Sequence, residues 1–113
     1  MDNSNTIAEL TQAMNAFVAA MGWYRGDSRF LQSPRNIAIS LVLEASEVLE
    51  HFQWGEEAEP HALAEELADV MLYLLQLAYL TGIDLGQAVQ DKLTANYRRF
   101  GPTYSNTHED DQP

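Results

Sequence analysis

Apolar residues recur at helical spacing in four stretches of this chain, each flanked by residues that start or stop helices. Ile7, Leu10, Met14, Phe17, Val18 and Met21 form the first stripe, and Thr6 with Glu9 makes a capping box at its start. These positions predict a helix from Thr6 to Met21. GWYRGDSRFLQSPRN follows; its glycines, proline and mixed aromatic and basic residues predict a connecting loop. Ser33 and Pro34 suit the N-cap and first turn of a second helix, which should run to Trp54 before Gly55 stops it. A third helix is expected from Pro60 to Thr81, closed by Gly82. A fourth begins at Asp84, with Gln87 in capping-box position, and stops before Gly101 and Pro102. The expected class is all-α. Residues 1–102 are read as one domain and residues 103–113, polar and acidic, as a mobile tail.

On a helical wheel the apolar arc of the third helix runs from Leu77 round to Leu75 and, with Tyr79 and Leu72, covers about 220 degrees. A narrow strip remains, holding Glu65, Gln76, Asp69, Tyr73 and Glu66. The second helix repeats the plan. Ile37, Leu41, Val42, Ala45, Val48, Leu49 and Phe52 share one side, while Glu44, Glu47 and His51 share a strip. Both helices are more apolar than a surface helix requires, so the two carboxylate strips are expected to face protein.

Glu44 and Glu47, like Glu66 and Asp69, stand at i and i+3, where side chains are rooted about 5 to 6 Å apart. At an effective dielectric of about 20, each like-charged pair repels by on the order of 3 kcal/mol. Something positive should therefore sit between converging strips. The donors are all oxygen, the chain has no cysteine, and its three histidines are scattered, which favours magnesium or manganese over zinc. The competing reading is a pair of ordinary solvated acidic faces.

The net charge of −11 argues against a nucleic-acid polymer as partner, because such binding depends on basic residues neutralising phosphates. A small phosphate ligand bridged by a cation is compatible with it. The longest nearly apolar run, Val70 to Leu80, is broken by Gln76 and is much shorter than the roughly 20 residues that span a bilayer, so no membrane partner is expected. The opening MDNSNTIAEL lacks the features of a secretion signal, and the absence of cysteine points weakly to the cytoplasm.

Glu44-x-x-Glu47 in LVLEASEVLEHFQW, Glu66-x-x-Asp69 in EELADVMLYL and Lys92-x-x-x-Asn96 in DKLTANYRRF together resemble the all-α nucleoside triphosphate pyrophosphohydrolases of the MazG-like group. The short deoxycytidine-triphosphatase-like branch is the most similar, and the resemblance covers about residues 20 to 101. It implies a four-helix bundle-like fold that forms homodimers or homotetramers. It also implies magnesium-dependent cleavage of a nucleoside triphosphate to the monophosphate and pyrophosphate. Carried over by position, Glu44, Glu47, Glu66 and Asp69 are metal ligands. Tyr73, Lys92 and Asn96 contact the nucleotide. Two departures are Ser46, where the family often has glycine, and a longer loop from Trp23 to Pro34.

Glu47 or Glu44 is the expected residue to orient or deprotonate the attacking water. Lys92 with Arg98 or Arg99 can steady phosphates, and Trp23 and Trp54 can stack on a base. Arg35, ahead of the first acidic motif, is a further substrate-binding candidate. His51 is read as a structural polar residue, because the diiron bundles use Glu-x-x-His and that spacing never yields histidine here. Such a diiron bundle and a non-catalytic helical oligomerisation module are the alternatives. The apolar excess of the second and third helices predicts at least a dimer.

Overall fold

Thr6 accepts a hydrogen bond from the Glu9 backbone N–H while the Glu9 side chain accepts one from the Thr6 N–H, closing the expected capping box. The computed structural model describes residues 5–101, so the expected tail at 103–113 lies outside the described residues. Regular structure among them is all helical: α1 (Ile7–Ala20), α2 (Pro34–Glu50), α3 (Pro60–Leu80) and α4 (Leu85–Phe100). Side-chain caps open the other three helices as well. Ser33 and Asp84 receive N–H groups from Asn36 and Gln87, and Glu59 receives two, from His61 and Ala62.

The second helix is one turn shorter than its apolar pattern predicts. It ends at Glu50, and residues 51 to 55 continue as turns closed by bonds such as Phe52 N–H to the Leu49 carbonyl and Gly55 N–H to the Phe52 carbonyl. These three-residue closures tighten the chain before the acidic linker, as helix ends commonly do. Trp54 falls in this segment and is 93% exposed.

Glycines end α1 and α3 in the same way. Gly22 and Gly82 take φ values of 76° and 71°, where a Cβ would be strained. After α1, Gly22 N–H bonds to the Ala19 carbonyl and Trp23 N–H to the Val18 carbonyl; after α3, Gly82 and Ile83 bond likewise to Tyr79 and Ala78. This is the Schellman arrangement. Its consequence at the first helix is to turn Trp23 back against α1.

The described residues fall into two compact units, one ending at Ile83 and the other beginning at Asp84. In the first, α2 and α1 both pack on α3. Met14 and Val18 of α1, Ile37 of α2, and Leu75 and Ala78 of α3 are its buried apolar residues, with Gln76 buried among them. The second unit contains α4, an amphipathic helix with Arg98 and Arg99 in its last turn, where positive charge suits the helix dipole. No single helix is long and apolar enough to cross a membrane.

Candidate functional site

Packing of α2 on α3 brings the two acidic motifs together. One carboxylate oxygen each from Glu44, Glu66 and Asp69 lies within 4.8 Å of the others. Glu44 and Glu66 are partly buried and Asp69 is exposed. Glu47 stands outside this group of three but interacts with Glu44 and Glu66 at hydrogen-bonding range. The strips expected to face protein do so for Glu44 and Glu66, whereas Glu47 and Asp69 reach solvent.

The electrostatics are those of acids without a counter-ion. A hydrogen bond from Glu47 favours the Glu44 carboxylate, but contact with Glu66, desolvation and the charges of Glu66 and Asp69 outweigh it and raise the Glu44 pKa. The Glu47 pKa is raised as well, first by its hydrogen bond to Glu44 and then by the Glu44 charge. Among the described residues no lysine or arginine pairs with any of the four acids. Glu66 is the most constrained. Its Oε1 lies 3.5 Å from Nε2 of His51, and its Oε2 is buried with no hydrogen-bond partner. A buried carboxylate oxygen left unpaired costs free energy unless a cation or proton meets it. An all-oxygen cluster in which one residue also carries such an oxygen fits a hard divalent cation.

Beside the acids opens a cavity of about 860 Å³, with Glu44 and Asp69 in its wall. Met14, Phe17 and Val18 of α1 and Ile37 of α2 make it apolar, and Tyr73 and Gln76 extend the α3 side. Trp23 and Phe30 close the loop side. The Trp23 ring meets Phe17 edge-on at 5.6 Å between centroids and Phe30 at 5.9 Å, a geometry that fixes the indole. Volume and lining match a pocket for a planar organic group with a polar handle.

Of the residues singled out from sequence, Glu44, Asp69, Trp23 and Tyr73 share this cavity. Arg35 is exposed and outside its lining, whereas Arg29, for which the sequence pattern indicates no role, is within it. Lys92, Asn96 and Arg99 are exposed along α4, at spacings that place them on one face, with the Arg99 guanidinium 4.8 Å from the Phe100 ring centroid. Gln76 and Gln32 were not anticipated. Gln76 did carry a signal, as the polar interruption of an apolar run; Gln32, in an irregular loop, had none. His51, read as structural, adjoins Glu66.

A helical bundle with a carboxylate cluster suited to a divalent cation, opening on a pocket large enough for a nucleoside, is the class of protein that this geometry defines. Comparison with known proteins agrees. The MazG-like family model matches residues 39–110, and the chain belongs to that family. It is 34% identical over 105 residues to dCTP pyrophosphatase 1 of Rattus norvegicus and to that of Homo sapiens, alignments covering 84% of this chain. The chain spans 59% of the length of these curated relatives. A crystal structure of a pyrophosphatase from Archaeoglobus fulgidus superposes with a TM-score of 0.72 at 28% identity, covering 88% of this chain and 96% of that one.

Proposed function

We propose that this protein hydrolyses nucleoside or deoxynucleoside triphosphates to the monophosphate and pyrophosphate, with Mg²⁺ as cofactor and Mn²⁺ as a substitute, in nucleotide-pool control. The observation that supports this most directly is the unpaired buried Oε2 of Glu66, a member of the carboxylate cluster, beside an apolar cavity large enough for a nucleoside. The names of the dCTP pyrophosphatase relatives point to the same chemistry. Residues 1–102 act as one functional domain, and the cytoplasm, where nucleotide pools are held, is the proposed location.

Glu44, Glu66 and Asp69, with Glu47 alongside, would hold the cation. When bound, it supplies the charge neutralisation that a triphosphate needs. Glu44 and Glu47 have a second use. Either carboxylate, placed in or beside the cluster, can act as the base that accepts a proton from the attacking water. The water oxygen bonds in line to a phosphorus of the α–β linkage, its proton passes to the carboxylate, and the bridging P–O bond breaks, so that the monophosphate and pyrophosphate part. Trp23 and Tyr73 hold the nucleoside in the cavity, where apolar walls exclude bulk water. Lys92, Asn96 and Arg99 are offered as phosphate ligands, and Arg35 and Trp54 as further substrate contacts.

Product identity is the direct test. With Mg²⁺ and a panel of triphosphates, phosphorus NMR should show monophosphate and pyrophosphate growing together. Orthophosphate as the first product, or no turnover of any triphosphate, would overturn the proposal. We further propose a homodimer or homotetramer, because Val42, Leu43 and Leu49 of α2 and Leu67 and Leu72 of α3 remain exposed. Light scattering at micromolar concentration should give at least twice the mass of one chain; a single-chain mass would remove this part of the proposal.

A further inference from the structure

Gln76 is only 3% exposed, yet it lines the cavity two helical turns beyond Asp69. That separation is about 10 Å along α3, with Tyr73 between. If phosphates meet the acids, the sugar then passes Tyr73 and the base edge arrives at Gln76. A buried amide at that place needs an account, since a purely apolar pocket could be closed by leucine.

Its orientation is fixed by a short chain of hydrogen bonds. The Phe30 backbone carbonyl can only accept, so Gln32 must present its amide nitrogen there, at 2.6 Å. Gln32 Oε1 is thereby aimed at Gln76, whose Nε2 donates to it at 2.7 Å. The second Gln76 N–H points to Oη of Tyr24 at 3.4 Å, and that hydroxyl donates onward to Asn15 Oδ1. Both donors of Gln76 are used within the protein. Its Oε1 has no partner among the described residues, so the group left for a ligand is an acceptor. Asn36, in the same lining, repeats the pattern on a smaller scale: its Nδ2 donates to the Leu31 carbonyl at 3.0 Å, which leaves its own oxygen open.

We infer that Gln76, locked by Gln32 and Tyr24 with its oxygen toward the cavity, reads the base and selects triphosphates whose base edge offers an amino group over their oxo counterparts. This rests on the nucleotide reading proposed above and names the substrate class within it. An amino group donates to Oε1. An oxo group in the same place sets oxygen against oxygen, and Gln76 cannot answer by turning its amide, because that would break both of its bonds to Gln32 and Tyr24. Discrimination is strong where a buried polar group would otherwise be left unpaired.

The experiment compares dCTP with dUTP and dATP with dITP, measuring kcat/KM for pyrophosphate release. It also measures binding of dCMP and dUMP by calorimetry without metal. The wild-type protein should prefer the amino member of the pair it turns over by at least about tenfold, and dCMP over dUMP in the same direction. Gln76→Met should bring the ratio close to one, mainly by loss on the amino substrate, with pyrophosphate still the product. Gln32→Met keeps the reading residue but frees its amide to rotate, and it should reduce the ratio as well; it carries the test if Gln76→Met does not fold. Equal use of amino and oxo bases by the wild type, or ratios unchanged in Gln32→Met, would overturn the inference while leaving hydrolysis intact. Absence of hydrolysis with the dCMP preference present would overturn the proposed reaction and leave the base reading standing.

Discussion

Glu66→Gln should lower pyrophosphate release by roughly 100-fold or more while leaving the metal-free protein folded. Glutamine has almost the same shape as glutamate and can keep an oxygen toward His51 Nε2, but it replaces the other carboxylate oxygen by an amide nitrogen that cannot ligate a cation and removes the charge from one of the three clustered acids. Removing it relieves a cluster in which Glu44 already has a raised pKa, partly through Glu66. Melting without metal should therefore stay level or rise slightly. With Mg²⁺ the sign reverses. A ligand that binds only the folded state stabilises it by about 2.7 kcal/mol at a hundredfold excess over its dissociation constant, and that increment should appear in the wild type and vanish in the variant. Asp69→Asn should behave in the same direction. Full activity in folded Glu66→Gln, together with an unchanged Mg²⁺-induced melting shift, would mean that the acids serve some other purpose.

Leu75→Ala should cost about 2 to 5 kcal/mol of folding stability, enough to lower the melting temperature by roughly 10 °C or more in a domain of this size. Leu75 is 1% exposed and is the largest fully buried side chain among the described residues. It sits on the helix against which both α1 and α2 pack. The buried apolar set is small, so one truncation removes a large share of it and leaves a cavity that the neighbouring helices cannot fully close. Gln12→Ala, on the exposed side of α1, is the matched control and should change stability by less than about 0.5 kcal/mol. A melting curve for Leu75→Ala indistinguishable from the control would mean that the packing around α3 is not what holds this unit together.

The helices and most of their ends were legible from sequence because local chemistry determines them. A threonine three residues before a glutamate, a proline after a serine, and a glycine where the backbone must become left-handed act on their immediate neighbours, and the structure realises each of them at Thr6, Ser33 and Gly82. The end of α2 was missed because Phe52 and Trp54 continue the apolar pattern while the backbone has already tightened into turns. Pattern reports what a side chain prefers to touch; it does not report where the hydrogen-bond ladder stops.

The acidic motifs were equally legible, since i and i+3 spacing places each pair on one face whatever the rest of the chain does. That Glu44, Glu66 and Asp69 converge while Glu47 stays at the edge was decided by how α2 lies on α3, a long-range packing choice that no local spacing encodes. The same holds for the amides. By itself the sequence determined that carboxylates would occupy two helical faces and that a glutamine would interrupt the apolar run of the third helix. Only the tertiary structure gave Gln76 its meaning, because Gln32 is 44 residues away along the chain and Tyr24 is 52. The direction of a buried amide is set by whichever distant donors and acceptors folding brings to it.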